Sequence, residues 1–366
     1  MSPRSFASRL AEMLARTPRP HQLAYSITTP RDRVTRLAVS HDGRRLAIPS
    51  RDGGVRVHDT ATGEPLIALE GHAAQAMGVA WAPGDAWLAS IGGDDELCIW
   101  DVACGDLHAS FTCHAGSLTS VAWTPGMLVA TSETGCVLRW RDPETADGGD
   151  PRADPAEPMD LVALEALRSP GALHASFSPD GRRLAVAGRG GAVRLWDPWA
   201  GTLEAVLDGH ADASVITAWA PDGTRFATGA KDGTCRIWDA PRRATEAVLQ
   251  TGSAEVRAVA WHPGGRLLAT KLLDAVVLWR PDPWRPVGHF LEQGPDLGWS
   301  TGLAFNPQLP LLATLGQGDL HVRVWHLDEE RLPQEAIALP DWSRFGVWRD
   351  RISSQEPRRQ RRIVIV

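Results

Sequence analysis

The stretch HADASVITAWAPDGTRFATGAKDGTCRIWD, residues 210–239, contains three short runs in which apolar residues alternate with small or polar ones. Such alternation has the period of a β-strand. The tetrapeptide APDG separates the first two runs and predicts a tight hairpin turn, because proline fixes φ near about −65° and glycine accepts positive φ. A polar loop precedes the third run, which ends in Trp-Asp. The stretch therefore predicts three consecutive antiparallel strands.

The same pattern recurs along nearly the whole chain. The residues that end the first strand are spaced by 42, 42, 54, 42, 42 and 44 positions. They are Val39, Trp81, Trp123, Phe177, Trp219, Trp261 and Phe305. A fourth run, such as EPLIALE or LEAVLDG, completes each unit. An isolated four-stranded sheet would expose both apolar faces, whereas radial stacking buries them. We predict an all-β fold, a seven-bladed propeller of four-stranded antiparallel blades.

Short motifs at fixed points of the repeat point to a known family. Third strands end in Trp-Asp at 100–101, 196–197 and 238–239, and Gly-His precedes the next unit at 71–72 and 209–210. In these motifs and their spacing the chain resembles WD-repeat β-propellers, roughly from residue 22 to 340. The resemblance implies that a histidine, a strand hydroxyl, a loop aspartate and the tryptophan lock a blade by hydrogen bonds. The matching sets are His72, Ser90, Asp94 and Trp100, and His210, Thr228, Asp232 and Trp238.

Both sets are expected to be structural, with no catalytic role. The match to the family pattern is partial in the other five units, which predicts blades of unequal rigidity. In unit one Ile48 replaces the hydroxyl residue and His58 the tryptophan. In unit three His114 and Thr131 match the pattern, but Thr134 replaces the aspartate. At the aspartate position unit four has Gly190, unit six has Leu273 and Asp274, and unit seven keeps Asp319.

Three segments fall outside the regular units. The predicted propeller occupies 21–340. An N-terminal amphipathic helix or arm at 1–20 precedes it, and a tail at 341–366 that contains tryptophans, a basic cluster and an apolar end follows it. An acidic insertion rich in proline and glycine occupies 141–160. The helix would pack on the propeller or dock to a partner or a membrane surface, with a transit peptide as a minor alternative. The insertion is either a solvated spacer or a contact for a basic partner.

Closure of the ring has two possible routes. Residues 21–28, HQLAYSIT, align with the fourth strands, and we predict that they complete blade seven from the N-terminal side. The competing route uses QEAIAL at 334–339.

Composition limits the partners and the compartment. The 366 residues carry a net charge of −6, which argues against nucleic acid or an anionic membrane as the main partner. Five cysteines without a C-x-x-C motif suit a reducing cytosol. The chain has no apolar window of the roughly 18 residues that a membrane span needs, and no signal peptide, so we expect a cytoplasmic protein. Only two lysines among 38 basic residues hint at a GC-rich bacterial genome.

Three groups of residues are candidates for partner binding. Arg51, Arg189 and Lys231 lie just before the loop aspartate position and would give one channel mouth a partly basic rim, suited to an acidic peptide. Trp199 and Trp284 follow third strands and should share the opposite face. Solvated loop charges and edge packing are the respective alternatives. The terminal residues Ile363, Val364, Ile365 and Val366 could add a strand to a partner sheet, or fray.

These features favour a non-catalytic scaffold for protein–protein interaction, without a cofactor or metal. The composition suggests a subunit of a bacterial regulatory or defence complex. The alternative is a propeller hydrolase or lyase with its site in the central channel. Such a site needs converging histidines and carboxylates, and the innermost strands offer the single imidazole of His174. The sequence has no G-x-S-x-G, H-E-x-x-H or phosphate-loop motif.

Overall fold

The strands form seven antiparallel sheets of four, each built from consecutive strands of the chain except where the ring closes. The computed structural model describes residues 21–28, 36–141, 162–252, 255–273, 275–292, 302–315 and 321–340. The predicted N-terminal helix, most of the acidic insertion and the C-terminal tail therefore lie outside the described residues. Seven four-stranded blades confirm the predicted fold class.

Each blade has its strands in the same order from the channel outward. The innermost strands are β2 (Ala38–Val39), β6 (Ala76–Trp81), β10 (Leu118–Thr124), β14 (Ala172–Phe177), β18 (Ser214–Trp219), β22 (Ala258–Trp261) and β26 (Leu303–Phe305). The second strands are β3 (Arg45–Pro49), β7 (Trp87–Gly92), β11 (Met127–Ser132), β15 (Leu184–Gly188), β19 (Arg225–Ala230), β23 (Leu268–Lys271) and β27 (Leu311–Leu315).

The two outer positions complete the blades. The third strands are β4 (Gly54–Asp59), β8 (Glu96–Asp101), β12 (Cys136–Arg141), β16 (Val193–Asp197), β20 (Thr234–Asp239), β24 (Ala275–Arg280) and β28 (His321–Leu327). The outermost strands are β5 (Pro65–Glu70), β9 (Leu107–Thr112), β13 (Val162–Arg168), β17 (Thr202–Leu207), β21 (Ala244–Gln250), β25 (Arg285–Leu291) and β1 (His21–Thr28). A 3-10 turn spans Glu329–Arg331.

The strand order defines two faces of the ring. Loops between second and third strands, and connections from an outermost strand to the next innermost strand, lie on what we call the upper face. Hairpin turns between first and second strands, and between third and fourth strands, lie on the lower face. Innermost strands of successive blades adjoin one another around a central channel, and β26 of blade seven adjoins β2 of blade one.

The core consists of apolar clusters between neighbouring blades. Leu69 of blade one, for example, packs in the same cluster as Trp81 and Trp100 of blade two. Indole N–H groups at the ends of innermost strands reinforce three junctions by donating to backbone carbonyls of the preceding blade. Those hydrogen bonds join Trp81 to Ala38, Trp219 to Ser176 and Trp261 to Ala218 at 3.1, 3.0 and 3.2 Å.

Residues 21–28 close the ring, as predicted. β1 pairs antiparallel with β28, from His21 opposite Leu327 to Thr28 opposite His321. The competing route through 334–339 is wrong, because that segment passes along blade six, where Ile337 N–H donates to the carbonyl of Pro286 at 2.9 Å. A strand from the N-terminal end thus lies beside strands from the C-terminal end, which ties the ends of the ring together.

A side-chain brace also crosses the junction of blades seven and one. Asn306 Nδ2 donates to the carbonyl of Gly43 at 2.6 Å. Gly43 has a φ of +73°, and a Cβ there would stand 2.6 Å from Asn306 Oδ1. The turn SHDG therefore requires glycine both for its backbone conformation and for this close approach.

Candidate functional site

The predicted hydrogen-bonded set of blade two is present. Trp100 Nε1 donates to Ser90 Oγ at 2.8 Å, and Ser90 Oγ lies 2.7 Å from His72 Nε2. His72 Nδ1 lies 3.1 Å from both carboxylate oxygens of Asp94, which also accepts from the backbone N–H of Ala73 at 2.7 Å. Because the serine accepts from the indole, its own proton can go to Nε2, which leaves Nδ1–H to donate to the aspartate.

Blade five repeats this arrangement. Trp238 Nε1 donates to Thr228 Oγ1 at 2.8 Å, Thr228 Oγ1 lies 2.7 Å from His210 Nε2, and His210 Nδ1 lies 3.1 Å from Asp232 Oδ2. Burial lowers the pKa of His210, with an opposing effect of Asp232. Burial raises the pKa of Asp232, but hydrogen bonds from Thr234 outweigh it, and the pKa of this carboxyl lies below its usual value. A neutral imidazole and an ionised carboxylate result.

Blade seven uses a different buried group in place of the histidine. Trp325 Nε1 donates to Thr314 Oγ1 at 2.9 Å, and Thr314 donates in turn to Glu292. Glu292 also forms an ion pair with Lys271 of blade six, and neither side chain is exposed to solvent. The sequence contains only a weak signal for this pair, since Lys271 is one of two lysines and Glu292 directly follows an outermost strand. The prediction overlooked both residues.

Blades three and four lack the complete hydrogen-bonded set, each for a different reason. In blade four Val186 stands where blade five has Thr228, and buried Trp196 Nε1 has no hydrogen-bond partner among the described residues. In blade three His114 is exposed, with a φ of +52°, while Thr131 bonds to Thr119 at 2.7 Å instead. The expectation that His114 matches the family histidine in blade three is therefore wrong.

The predicted basic rim lies on the upper face. Arg51 and Arg189 are exposed and Lys231 is partly buried. Backbone hydrogen bonds hold two of these loops against the entry to an innermost strand: Arg189 N–H donates to the Gly171 carbonyl at 2.8 Å, and Lys231 N–H to the Ala213 carbonyl at 2.9 Å. The three cations therefore stand at equivalent points of blades one, four and five, near the mouth of the channel.

A cationic side chain crosses the channel just inside that mouth. Arg36 precedes the innermost strand of blade one, passes Gly78 of blade two, and donates from Nη2 to the carbonyl of Leu173 in blade four at 3.5 Å. Burial lowers the pKa of Arg36 to about 10. Beside Leu173, burial and then the charge of Arg36 hold the pKa of His174 well below its usual value. His174 Nδ1 accepts from the backbone N–H of Thr217 at 3.3 Å.

Comparison with known proteins agrees with the repeat. The family described as WD domain, G-beta repeat matches residues 22–59, 63–101, 169–197 and 201–239. WD repeat-containing protein 1 of Bos taurus is 35% identical over 86 residues, which are 23% of this chain and 14% of that protein. The same protein of Rattus norvegicus is 41% identical over 66 residues, 17% and 11% of the two chains.

The chain belongs to the WD-repeat β-propeller family. The alignments cover only a small part of the relatives' own length. Two of the matched WD repeats, 63–101 and 201–239, each contain the outermost strand of one blade followed by the three inner strands of the next blade. Sequence repeats and structural blades are therefore offset by one strand, which interlocks neighbouring blades through the covalent chain.

The two tryptophan candidates of this WD-repeat protein lie on the lower face, as their place after third strands predicts. Trp199 is 39% exposed, and its indole N–H donates to the carbonyl of Gly181 at 2.9 Å. Trp284 is half-buried, donates to Glu246 at 3.1 Å and packs edge-on against Trp261 with ring centroids 5.6 Å apart. Trp199 thus offers more open surface than Trp284. Ile363, Val364, Ile365 and Val366 lie outside the described residues.

Other potential sites on the WD-repeat ring are a metal cluster, the cysteine thiols and a surface cleft. Within the described ranges, no three histidine, cysteine or carboxylate side chains lie close enough to hold one metal ion. Burial raises the pKa values of Cys98 and Cys113 to about 12. No helix among these residues is long and apolar enough to span a membrane. A cleft of about 580 Å³ at the junction of blades seven and one is lined by Ile27, Ile48 and His58, among others.

Proposed function

We propose that this protein is a non-catalytic platform for other proteins and that its upper face recognises an acidic peptide segment. The observation that carries the proposal is the placement of Arg51, Arg189 and Lys231 at equivalent loop positions around one channel mouth. Glu133 holds the equivalent position in blade three and is the acidic exception. The three cations and Glu133 together give these equivalent positions a net charge of +2 on a chain whose net charge is −6.

This local excess of positive charge favours acidic partners in two ways. Complementary charge raises the rate of encounter and selects against basic segments, although dissolved salt screens exposed charges beyond about 10 Å at 0.1 M. The backbone hydrogen bonds of Arg189 and Lys231 fix their loops, so less ordering entropy is lost when a peptide binds. Binding is expected to be moderate and strongly dependent on salt.

The wider setting of the platform is also a proposal. Membership in a bacterial regulatory or defence complex is supported by the lysine-poor composition, whereas the relatives reported above are animal proteins. A cytoplasmic location is supported by five cysteines that are all free thiols. The terminal segments 1–20 and 341–366 would serve as additional docking elements, with Trp199 as an anchor on the lower face.

The test is binding of a capped peptide of consecutive glutamates, compared with its glutamine analogue, by fluorescence anisotropy. The rim variant Arg51→Gln, Arg189→Gln, Lys231→Gln should lose roughly tenfold or more in affinity, since charge pairing is its main effect. The matched control, Arg44→Gln, Arg182→Gln, Arg242→Gln, removes the same charge from exposed lower-face turns of blades one, four and five. An equal loss of affinity in the rim variant and the control variant would contradict the proposal. Equal binding of the glutamate and glutamine peptides at about 50 mM salt would contradict it as well.

A propeller enzyme with a site in the channel is the alternative function. No specific observation favours it, because His174 shares the channel with a cation and accepts a backbone hydrogen bond rather than facing a carboxylate. The repeat family and the cationic rim support the platform directly.

A further inference from the structure

We infer that the channel below the rim is a carboxylate-binding site formed by Arg36 and His174. This inference rests on the proposed function in one respect: the acidic peptide is taken as the source of the carboxylate. A free dicarboxylate has the same chemistry and is the second source to be tested. The Arg36 guanidinium would provide the charge, and His174 would provide a neutral hydrogen-bond donor.

The first argument is the donor capacity of Arg36. A guanidinium presents several N–H donors in one plane, which match the two oxygens of a carboxylate. To the described residues, Arg36 makes one long hydrogen bond, 3.5 Å to the Leu173 carbonyl, and no ion pair. Glu255, at the entry to the innermost strand of blade six, is paired with Arg257 at 3.2 Å. Among the described residues, Arg36 is therefore a partly buried cation with donors to spare.

The second argument is the tautomer of His174. His174 Nδ1 accepts from the backbone N–H of Thr217 at 3.3 Å and can also accept from the Thr217 hydroxyl, whose oxygen lies 3.2 Å away. The low pKa of His174 keeps the imidazole neutral, and its proton therefore resides on Nε2. Both side chains thus offer N–H groups, while neither offers an acceptor. A group with two acceptor oxygens completes such a site.

The third argument is continuity with the rim. Arg36 enters the channel at the upper face, because it lies two residues before β2. Its acceptor, Leu173, is two residues after Gly171, whose carbonyl holds the Arg189 loop at 2.8 Å. A peptide attracted by the rim would therefore find Arg36 directly inside the mouth, where one acidic side chain can reach it.

The energetics distinguish a ligand site from a structural brace. A partly buried cation with one weak hydrogen bond to the described residues costs desolvation that this contact does not repay. Arg36→Gln should then leave the thermal midpoint unchanged or raise it, while it removes the charge needed for the carboxylate. A brace would behave in the opposite way, because its removal lowers the midpoint.

The experiment uses the full chain and two probes, glutarate and the capped glutamate peptide, measured by calorimetric titration. Proteins for comparison are Arg36→Gln, the rim variant, and Arg242→Gln as an exposed single-arginine control. Glutarate should bind wild type with a dissociation constant on the order of millimolar. Arg36→Gln should lose both probes by roughly tenfold, the rim variant should lose the peptide but keep glutarate, and Arg242→Gln should keep both.

Histidine NMR measures the pKa of His174, which glutarate would not change if Arg36 had only a structural role. Glutarate bound beside Arg36 should raise the pKa of His174 in wild type, because it offsets the cation that helps to lower this pKa. Arg36→Gln with wild-type affinity for glutarate and peptide would overturn the inference and leave the rim proposal standing. A lowered midpoint in Arg36→Gln without glutarate binding to wild type would assign Arg36 as a brace. Glutarate binding without peptide binding would keep this site and refute the peptide platform.

Discussion

Thr228→Val in blade five isolates the hydroxyl at the centre of one hydrogen-bonded set. Valine has nearly the same shape as threonine, so the packing of β19 should be preserved while two contacts disappear. The indole of Trp238, 1% exposed, and the imidazole of His210, 8% exposed, would each lose a partner at 2.8 and 2.7 Å. An unsatisfied buried polar group costs about 1–3 kcal/mol. We expect the free energy of unfolding to fall by about 2–4 kcal/mol.

The assay is urea denaturation followed by tryptophan fluorescence. Thr245→Val is the matched control, because this threonine is exposed on the outermost strand of the same blade and should change stability by about 0.5 kcal/mol at most. The reverse substitution, Val186→Thr in blade four, offers a hydroxyl to the unpartnered Trp196 N–H and should raise stability by about 1 kcal/mol. If Thr228→Val costs no more than Thr245→Val, the hydroxyl is not the centre of the lock and the reasoning fails.

Two further predictions concern buried titratable groups. Lys271→Met leaves Glu292 buried without its cation and should lower the free energy of unfolding by about 3–5 kcal/mol. The double variant with Glu292→Gln should recover most of this loss. Urea denaturation of the single and double variants measures it, and additive losses would contradict the prediction. His174 has a depressed pKa in the folded state because of burial and the Arg36 charge. As pH falls below 6.5, the unfolded chain takes up a proton that the folded chain refuses. Wild type should therefore lose stability relative to His174→Gln, by up to about 1.4 kcal/mol per pH unit, and parallel curves would refute this linkage.

The blades and two of their hydrogen-bonded sets could be predicted because their signals are local and repeated. The strand period, the turn residues and a spacing of 42 positions act together in each unit. His210, Thr228, Asp232 and Trp238 lie within one stretch of 29 residues, as the sequence numbers show. Closure through β1 could be predicted for the same reason, since HQLAYSIT has the pattern of an outermost strand.

Other parts of the site depend on residues from separate blades and had no local signal. Lys271 and Glu292 meet because blade six adjoins blade seven, and Glu292 replaces the expected histidine with another residue type. His114 stands where the family has the histidine, yet a φ of +52° accompanies its exposed position. In the sequence, Arg36 is one residue of a predicted strand. Only the ring geometry shows that its side chain spans from blade one to blade four.

The contrast between these buried polar groups bears on the function. Asp94, Asp232 and Glu292 each have designated donors: His72 and His210 for the aspartates, and Lys271 for the glutamate. Such pairings are structural, because the removal of one partner would leave an uncompensated charge or polar group inside a blade. Arg36 lacks an equivalent partner among the described residues, although it lies in the same protein and close to the same upper face. Each of these three carboxylates is paired within the ring, and a cation without such a pair among the described residues is best explained by a partner from outside the chain.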